Sequence, residues 1–139
     1  MKLPNELRLE LEKELRYTSD KIIGEEGISR KVFFYGAAVA ATHRIIEMCY
    51  EPELVLLDMV LEVSCSIINE RVEDIIQEKN TAIELIDGFF DKLAQAVGDL
   101  AECIKSGKST YKIMETIVML AHTTTGTGYY LYTKGLVKV

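Results

Sequence analysis

The sequence predicts an all-α protein, an up-and-down antiparallel bundle of about five helices. Three observations predict it. Turn formers are sparse, with two Pro and nine Gly in 139 residues, which leaves too few punctuation points for an all-β domain. Apolar residues recur at steps of three and four along most of the chain, the period of a helix with one buried face. Breaks near 24–27, 51–53, 79–81 and 107–109 divide the chain into five segments joined by connections short enough to reverse its direction. One domain, residues 1–139, is expected from the length, since domains run to roughly 100–200 residues.

The first segment starts near Asn5, behind Pro4, and extends to about Ile23. Leu7, Leu11, Leu15, Thr18 and Ile22 share one face, while Glu6, Arg8, Glu10, Glu12, Lys13 and Glu14 cover the other, so a surface helix with a single buried stripe is expected. Gly24-Glu-Glu-Gly27 breaks the chain, and Ser29 is the expected N-cap of a second helix over about Arg30–Tyr50. Its run VFFYGAAVAA is apolar on every side, which predicts a helix inside the bundle or in a subunit interface. Gly36 and Ala40, four apart, form a smooth strip on which Gly128 of the last helix is expected to pack.

Pro52 opens the third helix, with Glu51 and Glu53 suited to its positive N-terminal end. Between Leu54 and Ile68 only Asp58, Glu62, Ser64 and Ser66 are polar, so contacts on two sides are predicted. The chain turns at Lys79–Thr81. Thr81 and Glu84 form a capping box at the start of the fourth helix. Along that helix Ile83, Ile86, Phe90, Leu93, Val97, Leu100 and Ile104 alternate steps of three and four, the clearest core pattern in the chain. Asp87, Asp91, Gln95 and Glu102 lie opposite, and Gly107 stops the helix. Ser109 or Thr110 caps the fifth, whose stripe is Ile113, Ile117, Leu120, Thr124, Gly128 and Leu131. Three consecutive Thr and two Gly within Thr123–Gly128 weaken a helix, yet Gly128 falls on the buried stripe, and continuation to about Thr133 is expected, the alternative being an end near Thr125 followed by an extended tail.

Composition narrows the function. Sixteen basic against twenty-two acidic residues give a net charge of −6 and an isoelectric point near 5.0, so the cationic field that supplies affinity for nucleic-acid backbones is missing. Nucleic acid is not an expected partner. The N-terminal segment is charged and amphipathic, without the apolar core of a secretory signal, and a cytoplasmic protein is expected. No membrane association is expected either, since the least charged stretch, Thr116–Thr133, is interrupted by Thr, Gly and His. Cys49, Cys65 and Cys103 are widely separated among apolar residues, the pattern of buried thiols.

Two sets of residues could carry chemistry. The first is Glu70-x-x-Glu73 before the turn and Glu84-x-x-Asp87 after it. If the third and fourth helices pack side by side, Glu73 stands level with Glu84 and Glu70 with Asp87, and four oxygen-rich side chains could hold Mg²⁺. This stretch, Glu70–Phe90, resembles the all-α nucleotide pyrophosphatases of the MazG and dimeric dUTPase type, whose ExxE and ExxD motifs lie on successive helices. The resemblance implies a Mg²⁺-dependent nucleoside triphosphate pyrophosphatase with Glu70, Glu73, Glu84 and Asp87 as metal ligands. The competing reading is a solvated acidic face, with Glu84 serving the capping box and Asp87 the helix N-terminus. The second set is His43 with Glu47, Glu115 with His122, and Glu62 able to face them. A bundle di-iron centre needs Glu-x-x-His on two helices, and that motif is absent. Hydrolase nucleophile motifs and phosphate loops are absent as well.

The leading expectation is therefore association without catalysis or a cofactor. At 48% hydrophobic residues, two helices apolar all round are hard for three others to cover. A homodimer or higher homo-oligomer burying part of helix two or three is expected. Tyr129, Tyr130 and Tyr132 suit either an interface or the closing of the core.

Overall fold

The computed structural model describes residues 5–24, 27–49, 52–77, 83–107 and 110–136, with side chains described throughout except at 5, 28, 29, 49, 53, 71–77, 83–87, 110 and 131–136. Five helices account for nearly all of these residues: α1 Asn5–Gly24, α2 Ile28–Cys49, α3 Pro52–Gln77, α4 Ile83–Lys105 and α5 Thr110–Leu136. No strand occurs among them, and the bundle is that expected from the periodicity.

The helices pack as a ring in the order α1, α2, α3, α5, α4, with α4 returning to α1. Two contacts set the direction of the α1–α4 pair. Arg16 reaches Glu102, and three residues later Ser19 donates to the Ala94 carbonyl eight residues earlier in α4, so the two run antiparallel. The ring order separates one pair of helices that follow each other in the chain. Helices α3 and α4, consecutive in sequence, share no extended interface among the described residues, because α5 lies beside both. With successive helices alternating in direction, α5 runs the same way as α3.

Caps and stops follow the local chemistry, with one shift. Helix α2 begins at Ile28, so Ser29 falls within its first turn and is not the N-cap. Gly27 takes that place: its φ is +93°, and its carbonyl accepts the Lys31 amide. Such a φ costs glycine little and other residues more. Lys31 itself is buried, and its ammonium donates to the Ile22 carbonyl at the end of α1. It thereby caps one of the carbonyls that a helix C-terminus leaves open. At the end of α4, Gly107 has φ +63° and its amide donates to the Ile104 carbonyl, as expected for the stop.

The buried cluster draws on all five helices. From α1 it takes Leu11, Leu15 and Ile22; from α4, Phe90, Leu93, Val97, Leu100 and Ile104; from α5, Ile113, Ile117 and Leu120. These are the predicted stripes. Tyr35 of α2 is fully buried and its hydroxyl bonds Thr124 of α5. Because Thr124 gives its own proton to the Leu120 carbonyl, the Tyr35 hydroxyl is the donor of the pair. Cys65 and Cys103 are buried free thiols; the Cys49 side chain lies outside the described residues.

Helix α5 continues through Thr123–Gly128, as expected, and ends at Leu136. The threonines there turn inward on their own helix: Thr123, Thr124, Thr125 and Thr127 each donate to the carbonyl four residues back. Gly128 is buried, but against Ser64 of α3, whose backbone oxygen would lie 3.5 Å from an added Cβ. The expected seat on Gly36 and Ala40 is not the observed one. Ala40 is exposed, and nothing lies within 4 Å of a Cβ built on Gly36. Apolar residues on every side of α2 and α3 thus did not place either helix inside the bundle. Phe33 is exposed on α2, and Val55, Leu56, Met59, Val60 and Val63 are exposed on α3. Helix α3 does have neighbours on two sides, α2 and α5, while its third side is open.

Candidate functional site

Two features on α3 and α2 stand out: a polar cluster between the helices and an apolar stripe on the outer side of α3. The cluster comes from two pairs at i, i+4, a spacing that puts both members on one helix face. His43 and Glu47 belong to α2, and Asp58 and Glu62 to α3. Antiparallel packing of α2 against α3 sets the pairs opposite each other. His43 Nδ1 lies 2.6 Å from Asp58 Oδ2 and 3.8 Å from Glu62 Oε1, while Nε2 lies 2.7 Å from Glu47 Oε1. One ligand atom each from His43, Asp58 and Glu62 can be chosen so that all lie within 4.8 Å of one another.

Asp58 is the most enclosed member, its side chain 15% exposed against 38% for His43 and 60% for Glu62. Its second oxygen, Oδ1, is buried without a hydrogen-bond partner among the described residues. The Asp58 hydrogen bond raises the His43 pKa above its ordinary value, with Glu47 adding to the effect and partial burial opposing it. Charge is left over: three carboxylates surround one imidazole, which even when protonated neutralises one of them. Arg44, the adjacent cation, is directed the other way, to Glu10 and Glu14 of α1. Beside the cluster lies a groove of about 570 Å³, with Gly36, Val39, Cys65 and Asn69 in its walls.

The sequence brought His43, Glu47 and Glu62 forward as a group, and the structure joins them. It does not add Glu115 or His122. Glu115 pairs with Lys112 and lines a groove between α4 and α5, and His122 is exposed. No di-iron arrangement forms from these residues. Asp58 was the member missed. The spacing Asp58-x-x-x-Glu62 matching His43-x-x-x-Glu47 was the available signal.

Of the acidic set on either side of residues 78–82, Glu70 is exposed. The side chains of Glu73, Glu84 and Asp87 lie outside the described residues, as does Thr81. The level pairing expected of these acids therefore lies outside the described residues.

The second feature is the α3 stripe. Val55, Leu56, Met59, Val60 and Val63 are between 41% and 68% exposed, and they recur at steps of one, three, one and three. They therefore occupy one side of the helix, opposite the buried Leu54, Leu61, Cys65 and Ile68. The C-terminal tyrosines divide: Tyr129 is exposed, Tyr130 stacks at 4.7 Å on Phe89 of α4, and the side chain of Tyr132 lies outside the described residues. Among the described residues no helix is long and apolar enough to cross a membrane. No protein-family model, curated protein or solved structure matches the chain significantly.

Proposed function

We propose that the protein works by self-association, two copies joining through the outer face of α3. The observation that supports this is the uninterrupted apolar stripe Val55, Leu56, Met59, Val60 and Val63, which carries no charge and faces solvent. Five such side chains, each about half exposed, present on the order of 500 Å² of apolar surface, the size at which a surface patch is commonly functional. Two copies meeting there would bury on the order of 1,000 Å² from these side chains alone, the lower bound for a specific interface. A two-fold contact is the economical arrangement, because the same stripe then serves both sides.

Size-exclusion chromatography with light scattering tests the reading. The expected mass is twice the 15.7 kDa of the chain. Met59→Lys combined with Val63→Lys is expected to halve it without loss of helicity, since both positions are exposed. A wild-type chain that remains a monomer at micromolar concentration overturns the proposal.

A further inference from the structure

We propose that His43, Asp58 and Glu62 bind one divalent transition-metal ion between α2 and α3, with Glu47 orienting the imidazole. Three features of the cluster carry this. First, donor atoms of His43, Asp58 and Glu62 lie within 4.8 Å of one another on two helices, and a central ion bonding each at about 2.0–2.2 Å draws in Glu62, 3.8 Å from Nδ1, and parts Nδ1 from Asp58, now 2.6 Å away. Secondly, Glu47 sits 2.7 Å from the other ring nitrogen. A carboxylate that accepts Nε2–H holds the ring in place while the ion replaces the proton that Nδ1 gives to Asp58, the usual support for a metal-bound histidine. Thirdly, Asp58 Oδ1 is buried without a partner among the described residues, a costly state for a carboxylate oxygen that two-point coordination of the same ion relieves.

The donor set selects the class of ion. One imidazole and two carboxylates suit Zn²⁺, Mn²⁺ or Fe²⁺, whereas Mg²⁺ favours oxygen alone. Two ligand carboxylates balance the charge of a divalent ion, and the neutral imidazole adds none. Three protein ligands leave a position for water, the arrangement of an open site as opposed to a closed structural one.

The test uses the full chain stripped with a chelator and titrated calorimetrically with Zn²⁺, and separately loaded with Co²⁺ for its absorption spectrum. One Zn²⁺ per chain is expected. Asp58→Asn and Glu62→Gln should each weaken binding by at least about 10-fold. Glu47→Gln should weaken it by a similar factor through the ring it orients. Glu62 is exposed, so Glu62→Gln keeps the fold and decides the matter should Asp58→Asn fail to fold. The Co²⁺ spectrum should lack the intense near-ultraviolet band of thiolate ligation. Absence of saturable Zn²⁺ uptake up to roughly 100 µM, uptake unchanged in Glu62→Gln, or a thiolate band that assigns the ion to cysteine would each overturn the proposal.

Discussion

Tyr35 and Thr124 show how one buried polar pair is specified from both sides. The tyrosine hydroxyl has Thr124 as its partner, whereas Thr124 also holds the Leu120 carbonyl. Removing the two members is therefore unequal. Tyr35→Phe should cost about 1 kcal/mol, the net worth of an ordinary hydrogen bond, while Thr124→Val leaves a buried hydroxyl unpaired and should cost about 1–3 kcal/mol. Urea unfolding of the two variants checks the order. Burial also raises the pKa of both Tyr35 and the Cys65 thiol above their ordinary values of 10.0 and 9.0. For an acid held neutral in the folded state, the stabilising contribution is full below the unfolded pKa and is lost as pH rises towards the folded one. Stability should accordingly fall as pH rises from 9.0, first through Cys65 and then through Tyr35. Cys65→Ala should flatten the first part of that decline in urea midpoints measured across the range. Neither the Tyr35 partner nor the buried Lys31 was legible in the sequence, since each depends on which helix lies opposite.

At the scale of the element, glycines at two positions do different work. Gly107 ends α4 at φ +63°, where a side chain is strained, so Gly107→Ala should lower stability by about 1 kcal/mol. Gly128 has helical geometry and meets Ser64 of α3 at an ordinary contact distance of 3.5 Å from an added Cβ. Gly128→Ala should be neutral or stabilising by up to about 1 kcal/mol, from helix propensity. Gly128→Leu overfills the same seam and should cost about 1–3 kcal/mol. Thermal unfolding followed by circular dichroism distinguishes all three. The threonine-rich stretch of α5 marks the limit of propensity as a guide. Its hydroxyls bond back to carbonyls of the same helix, and burial of Thr124 and Thr127 outweighs their weak preference for a helix.

For the whole molecule, a ring of five helices explains why apolar composition exceeded what the core absorbs. Each helix has two principal neighbours in the ring, so each keeps an outward side, and on α3 that side is apolar. If two copies cover it, stability becomes dependent on concentration. The thermal midpoint should rise with protein concentration in the wild-type chain and should not in Met59→Lys with Val63→Lys; a midpoint independent of concentration in both counts against association. The ring also explains the divided fate of the candidate sites. Neighbouring α2 and α3 bring His43 and Glu47 to Asp58 and Glu62, whereas Glu115 of α5 pairs with Lys112 beside α4 and His122 is exposed.

The sequence by itself determined the five helices, their approximate ends and the buried stripes of α1, α4 and α5. Those features follow from interactions within about four residues: the helical period, the φ that glycine tolerates, and the proline, glycine and capping residues at the breaks. Only the tertiary structure decided which helices meet. Periodicity shows that a face is apolar but not whether a neighbour covers it, so for α2 the interior of the bundle and an outer face stayed open as alternatives until the structure showed an exposed side on both α2 and α3. For the same reason Asp58, a polar residue on an apolar helix, acquired its meaning only when α2 placed His43 2.6 Å away.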